Sequence, residues 1–332
     1  MFRLEKTPGR DFVILNLSDP QMHRRDWAEG MLGITTLRYT MDELLKRVTP
    51  DLITITGDIS YAGQLDSYEN FVKFIESYGI RWAPIWGNHD NEYTYQVLDA
   101  AADILLSGSH CIFEKNDINY GLGNYVIRIE ENGVPVEGML MLDSHCGNER
   151  KMPDGSIDYC WAYLYQTQLD WIKEQSGALA ADGCKEQMMM VHIPLFGFRQ
   201  AFDEAFSGIC PPEKVPVEES HDPKYWKPGY EGCFGVMHGG GVSSFPEERG
   251  QLGFIRSLGE IKYIFCGHDH DNNFVVPYQG MTLCYCTKTS TGCAGKGCPN
   301  GGTVITIGEN GIKNIRHELV DIDDYYDRHR GF

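Results

Sequence analysis

The sequence predicts an α/β protein of layered build: two mixed β-sheets face to face with helices outside them, a four-layer αββα sandwich. Three observations predict it. Short runs of β-branched and aliphatic residues recur along the chain, nearly continuous rather than alternating, as expected of strands covered on both faces. Amphipathic helical stretches lie between several of these runs, which is the pattern of layered α/β folds. Residues 123–142 read instead as an antiparallel hairpin turning at Asn132-Gly133, so the sheets are mixed rather than purely parallel.

Taken in order, the first run is FVILNL at 12–17, which leads to Asp19. At six residues and interrupted by Asn16, it falls short of a signal-peptide core, and no later stretch approaches a membrane span. A helical pattern at 39–48 stops before Pro50, and LITIT at 52–56 runs into Asp58. The next helical pattern, 64–79, closes on Gly79, a residue suited to the left-handed cap. IRWAPIW at 80–86 leads to Asn88 and His89, and a helical pattern follows at 91–106. After the hairpin come Asp143 and His145, then a helix predicted at 165–177 and closed by Gly177. QMMMV at 187–191 ends at His192, and residues 246–259 form a helical pattern closed by Gly259. IKYIFC at 261–266 ends at His268 and His270, and GGTVITI at 301–307 is the final strand. Residues 207–231 hold five of the fifteen prolines and read as a long excursion loop, while 320–332 form a polar tail. With no repeat and no low-complexity linker, residues 1–332 are expected to form one domain.

Composition excludes several classes. Apolar residues make up 42% and charged residues 23%, which rules out a disordered chain. The 29 Lys and Arg against 47 Asp and Glu give a net charge of −18. That balance opposes a broad basic surface for long nucleic acid or anionic membrane, so an anionic ligand must meet a local positive source. Eleven cysteines, an odd number with several in apolar strands, indicate a reducing compartment, the cytoplasm. Cys284, Cys286, Cys293 and Cys298 are spaced C-x-C-x6-C-x4-C. Structural zinc prefers C-x2-4-C pairs, so these read as reduced thiols, with Cys284 and Cys286 facing the core from one strand.

The chemistry lies in the residues that end the strands. Asp19, Asp58, Asn88, His89, His192, His268 and His270 are carboxylates, an amide and imidazoles, a ligand set for divalent or trivalent ions. Carboxyl ends of strands line the crevice of an α/β sheet, and seven such residues suggest two cations sharing one carboxylate. A nicotinamide-binding fold would place G-x-G-x-x-G after the first strand, where this chain has SDPQMHRRDW.

These motifs, SDPQ at 18–21, GD at 57–58, GNHD at 87–90, VH at 191–192 and GHDH at 267–270, resemble those of the calcineurin-like metallophosphoesterases in type and order. The resemblance implies that Asp19, Asp58 and His270 hold one metal ion, that Asp58 bridges to a second, and that Asn88, His192 and His268 complete it. It implies a substrate-facing catalytic role for His89. Asp90 and Asp269 are expected to cap loops or orient imidazoles rather than bind metal, and His145 is a candidate substrate contact. Two departures from the pattern stand out. Gln21 occupies the place of the usual first-motif histidine, which costs the first metal an imidazole donor. Tyr61, in GD-x-x-Y, resembles the tyrosine that binds ferric iron in purple acid phosphatases. The implied cofactors are two metal ions drawn from iron, manganese and zinc, with iron favoured at the first site if Tyr61 is a ligand. The implied function is phosphomonoester hydrolysis of a small phosphorylated substrate, acid-phosphatase-like and driven by a metal-activated hydroxide. A phosphodiesterase acting on nucleotide-like or lipid-headgroup diesters is the alternative, and a non-catalytic metal-binding scaffold is the alternative of another class.

Overall fold

A computed structural model describes residues 1–92, 95–116, 121–208, 223–237, 241–290 and 299–323. Its first strands are β1 (Phe2–Glu5), β2 (Phe12–Leu17), β3 (Leu52–Thr56), β4 (Trp82–Ile85), β5 (Tyr125–Glu131) and β6 (Val134–Met141). There follow β7 (Gly147–Lys151), β8 (Ile157–Trp161), β9 (Gln187–Met190), β10 (Ile261–Cys266), β11 (Val275–Tyr278), β12 (Met281–Tyr285), β13 (Gly301–Gly308) and β14 (Gly311–Leu319). One sheet has the order β14-β13-β2-β3-β4 and the other β1-β5-β6-β9-β10-β12-β11, while β7 and β8 form a separate ribbon. The segments β2-β3-β4, β6-β9-β10-β12 and β1-β5 are parallel, and the remaining pairs in both sheets are antiparallel.

Alternation along the strands explains their continuous apolar sequence. Met188, Met190 and Phe265 face the core shared with the five-stranded sheet, where Ile14, Leu15 and Ile55 lie. Met189, Val191, Ile264 and Cys266 face the opposite way, into a second core. Helices α4 (Gln166–Ala181), α5 (Gly197–Ala205) and α6 (Gln251–Leu258) cover that second core through residues such as Ile172, Phe202 and Ile255. Helices α1 (Leu32–Arg47), α2 (Leu65–Glu76) and α3 (Tyr95–Leu106) pack with β2, β3 and β4 on the other side. The predicted αββα layers are therefore present.

The predicted turn at Asn132-Gly133 is also present, with φ of 54° and 76°, the double left-handed geometry of a type I′ hairpin. Several boundaries differ from expectation. Helix α4 continues to Ala181, so Gly177 lies inside it rather than capping it; a Cβ there would meet nothing within 4 Å. Helix α6 starts at Gln251, because Gly250 takes a left-handed φ of 71° that ends any helix begun at Pro246. Helix α1 starts seven residues before the predicted pattern, at Leu32. Cys284 and Cys286 are buried in the inter-sheet core as expected, whereas Cys293 and Cys298 lie outside the described residues. So do residues 209–222 of the proline-rich loop and 324–332 of the tail. Among the described residues, no helix is long and apolar enough to cross a membrane.

One buried acid stands out between the sheets. Glu137 on β6 is fully buried, and neither carboxyl oxygen has a well-formed hydrogen-bond partner; the nearby N–H groups of Gly138, Ile312 and Met188 are too loosely placed. Gly311 makes room for it, since a Cβ there would lie 2.6 Å from Glu186 Oε2 and 3.3 Å from Glu137 Oε2. Burial, reinforced by the Glu186 carboxylate, pushes the Glu137 pKa well above the ordinary 4.5. A folded pKa above the unfolded one gives stability that is complete below about pH 4.5 and declines as pH rises toward the folded value. Glu137→Gln, which imitates the neutral acid, is therefore expected to flatten this dependence. In thermal denaturation it should match the wild type near pH 4.5 and exceed it at pH 8, by on the order of 1–3 kcal/mol.

Candidate metal centre

The parallel strands deliver the candidate ligands to one edge. Asp19, Asp58 and Asn88 follow β2, β3 and β4 of one sheet, and His192 and His268 follow β9 and β10 of the other. Sharp backbone turns bring the side chains back over the strand ends: φ is 51° at Asp19, 43° at Gln21, 52° at Asp58 and 86° at His268. Left-handed backbone at non-glycine residues costs on the order of 1–3 kcal/mol each and collects at functional sites. The preceding glycines are sterically required. A Cβ on Gly87 would lie 2.1 Å from Asp58 Oδ1, one on Gly57 2.6 Å from His192 Nδ1, and one on Gly267 2.7 Å from Asp19 Oδ2.

The donor atoms converge in two groups. His192 donates its Nδ1–H to the Thr56 carbonyl at 2.7 Å, which turns Nε2 inward, 3.0 Å from Asn88 Oδ1 and 3.3 Å from Asp58 Oδ2. His268 Nδ1 reaches the same Asn88 oxygen at 2.7 Å. In the second group, Asp19, Asp58 and His270 each offer an atom within 4.8 Å of the others, enough to hold a cation. His270 Nε2 is 3.5 Å from Asp19 Oδ1. Gln21 enters this group unexpectedly: its Nε2 lies 2.7 Å from Asp58 Oδ2 and 2.9 Å from His270 Nε2. Its Oε1 is buried with no partner, as is His268 Nε2. Orphaned buried polar atoms among carboxylates and imidazoles fit a cation-binding role, since each carries a desolvation cost that protein partners leave unmet.

Electrostatics point the same way. Burial works against the charge on Asp58, yet the adjacent His192 holds its carboxyl well below the ordinary carboxylate range. Burial lowers the His192 pKa, but the Asp58 and Asp19 carboxylates outweigh it and carry it up to about 10. Burial first, and the His192 charge second, bring His268 down to about 4. A charged His192 is thus the protein's own counterion to the buried carboxylates of Asp58 and Asp19.

Tyr61 and His89 form the rim. The Tyr61 ring lies between His23 and His89, at centroid distances of 5.8 and 4.8 Å. The His89 N–H binds Asp58 Oδ1 at 2.9 Å, while its Nδ1 meets Glu92 Oε1 at 2.6 Å and leaves Nε2 as the free end. Glu92 was not anticipated from sequence, although its place three residues after the histidine is a signal of side-chain pairing. Of the two roles expected of Asp90 and Asp269, the described hydrogen bonds show the capping one and none to an imidazole. Asp90 accepts the N–H groups of Ile59, Ser60 and Gly87 and the hydroxyl of Tyr68, tying the GD and GNHD loops together. Burial and the Asp58 charge raise its pKa to about 6. Asp269 accepts the Ser243 N–H and the Tyr285 hydroxyl. His145 stacks on Tyr165 at 4.5 Å and binds Gln168 Oε1 through Nε2 at 2.8 Å, with no described hydrogen bond to the donor groups. Trp161, also unanticipated, meets His268 edge to face at 4.3 Å.

The sequence model of the calcineurin-like phosphoesterase family matches residues 12–272. The chain belongs to that family. As a calcineurin-like phosphoesterase it is 27% identical over 275 residues to probable inactive purple acid phosphatase 28 of Arabidopsis thaliana, covering 76% of this chain and 61% of that one. It is 26% identical over 264 residues to phosphatase DCR2 of Saccharomyces cerevisiae, covering 74% and 41%. The chain thus spans only 61% and 41% of the length of these relatives. A dimetal phosphatase from Danio rerio shares the fold, with a TM-score of 0.53 at 12% identity over 93% of this chain and 98% of that one.

The glycine contacts make a direct prediction. Gly87→Ala forces its methyl against Asp58 and should weaken metal affinity about 10–100-fold, the range for disturbing groups that orient ligands. Isothermal titration with Mn2+ or Zn2+ measures this, and circular dichroism checks that the variant is folded.

Proposed function

We propose that this calcineurin-like phosphoesterase hydrolyses phosphate monoesters at a dinuclear metal centre, with the whole chain acting as one catalytic unit. The observation that carries the reading is the convergence of two imidazole nitrogens on Asn88 Oδ1, beside the cluster of Asp19, Asp58 and His270. On this reading Asp19, Asp58 and His270 hold the first cation, Asn88, His192 and His268 the second, and Asp58 bridges. Tyr61 adds a phenolate at the first site, where iron is favoured; manganese and zinc suit the remaining imidazole and oxygen donors.

Bound there, two such cations supply a hydroxide at neutral pH and neutralise charge developing on the phosphoryl oxygens. The protein's own groups do the rest. Thr56 fixes the His192 tautomer so that Nε2 serves as the donor. Glu92 holds the Nδ1–H of His89, so that a proton on Nε2 is aimed at the leaving-group oxygen. The bare glycines keep Asp58 at the position where one carboxylate can serve both groups. Gln21 supports a modified first site: with its amide turned, the partnerless Oε1 becomes an oxygen donor where the family pattern has an imidazole. The substrate is small and phosphorylated, met in a reducing compartment; the eight described cysteines are free. A non-catalytic scaffold is the contrasting reading, favoured by the names of three Arabidopsis relatives, probable inactive purple acid phosphatases 14, 28 and 29.

The decisive assay combines metal analysis with phosphate release from a panel of mono- and diesters, with and without chelator. Chelation and Asp58→Asn should abolish turnover, and His89→Asn should lower kcat on the order of 10²–10⁴-fold. Metal content well below one ion per chain after reconstitution, or undiminished turnover in both variants, would sink the reading. Metal binding without turnover on any ester would favour the scaffold, and turnover confined to diesters would favour the phosphodiesterase.

The first site has its own spectroscopic check. The iron-loaded protein should show a visible tyrosinate charge-transfer band that Tyr61→Phe removes. Gln21→Ala should weaken one of two metal-binding events in native mass spectrometry, and Gln21→His should restore it with a preference shifted toward zinc.

A further inference from the structure

The ribbon of β7 and β8 is inverted. Its register pairs Gly147 with Trp161, Glu149 with Tyr159 and Lys151 with Ile157, so these six residues share one face. Asn148, Arg150, Asp158 and Cys160 make up the other. In an ordinary ribbon on a protein surface, the apolar face turns inward. Here the polar face is anchored: Arg150 binds Asp158 and, in the loop before α6, Glu247, both at 2.8 Å. The face that carries Ile157, Tyr159 and Trp161, with Glu149 and Lys151 beside them, is turned out, leaving Ile157 55% and Tyr159 75% exposed. Neighbouring large side chains held in water on a built ribbon offer a surface on which a ligand can pack.

The position of that face identifies its occupant. The stripe Ile157–Tyr159–Trp161 ends where the Trp161 ring touches His268, so it begins at the candidate metal centre. At about 3.4 Å per residue, its four steps extend roughly 14 Å away from it. A phosphoryl group held by the metal ligands would therefore project its substituent along the stripe. Gly147 lies opposite Trp161, and a Cβ there would meet only the Cys160 carbonyl at 3.6 Å, so no side chain overhangs the indole from that strand. Beyond it, Glu149 and Lys151 flank Tyr159 and Ile157 with one acceptor and one donor group. Aromatic faces bordered by hydrogen-bonding groups suit a planar aromatic group with polar edges; an alkyl chain would leave those edges unused.

We infer that the outward face of β7–β8 is the leaving-group subsite, and that it selects phosphoesters carrying a planar aromatic substituent of aryl or nucleobase type. The inference rests on the proposed metal centre for the position of the phosphoryl group, and it adds what that centre alone does not specify.

The test is equilibrium binding of two non-hydrolysable probes, 1-naphthylphosphonate and methylphosphonate, to the metal-loaded protein by titration calorimetry. The naphthyl probe should bind the wild type at least about tenfold more tightly. Tyr159→Ser, at an exposed position, should lose most of that advantage with metal content unchanged, and Trp161→Leu should lose it as well. Equal affinity of the two probes for the wild type, an advantage untouched by Tyr159→Ser, or no binding of either probe would overturn the inference. Metal content and ester turnover of the same preparation judge the catalytic reading separately, so failure of the subsite is distinguishable from failure of the centre.

Discussion

The cleft is organised around a carboxylate that the protein alone cannot comfortably bury. Asp58 is inaccessible to solvent and sits beside a second buried carboxylate, Asp19. Its oxygens receive the His89 N–H and the Gln21 amide and face His192 Nε2. An isolated buried carboxylate would protonate; this one is held ionised by a charged imidazole. That arrangement stores electrostatic cost in exchange for a site into which a cation fits. On the proposed reading His192 carries two incompatible demands, counterion in one state and lone-pair donor in the other, and the Thr56 carbonyl keeps the ring in one orientation for both.

The surrounding fold serves that carboxylate. Strand β3 delivers Asp58, and its parallel neighbours β2 and β4 deliver Asp19 and Asn88 at the same edge. Close approach of the β3 and β4 ends leaves no room for a Cβ on Gly57 or Gly87. Asp90 converts that proximity into rigidity, because its carboxylate collects N–H groups from both loops and the buried Tyr68 hydroxyl of α2. Its pKa is raised to about 6, by burial first and by the Asp58 charge second. The two core clusters beneath, one between the sheets and one under α4, α5 and α6, fix the relative placement of the strand ends.

What could be read from sequence follows from where the relevant forces act. The strand-end candidates that the fold brings together were legible because each follows a buried apolar run and a turn-favouring residue, a signal local to a few positions. Asp90 was legible as a residue next to the ligands but not in the groups it caps, since its partners, Ile59 and Ser60, belong to another loop. Gln21 looked like a lost imidazole; only the fold brings its amide between Asp58 and His270. Gly177 was misread as a helix end because glycine is tolerated in an exposed helix at modest cost, whereas Gly250 stops α6 through its left-handed φ. β14, an edge strand with mixed polarity, lacked the two-sided apolar signature used to find the others.

The ribbon β7–β8 was illegible for the opposite reason. Its period-2 pattern is regular, but periodicity only sorts residues into two faces, and the assumption that the apolar face is buried then assigns them the wrong way round. Tertiary contacts of Arg150 decide the orientation. The same point bears on the net charge of −18. At physiological salt the acidic surface is screened beyond about 8 Å, so it weakly discourages approach of an anion without governing its affinity once bound. On the proposed reading, affinity is generated inside the cleft, from cations that Asp58 and its neighbours would hold and from neutral aromatic surface. On that reading, an acidic exterior with an aromatic shelf beside the candidate metal centre favours compact anions with something flat attached. It disfavours extended polyanions, whose remaining charges would find no counterpart.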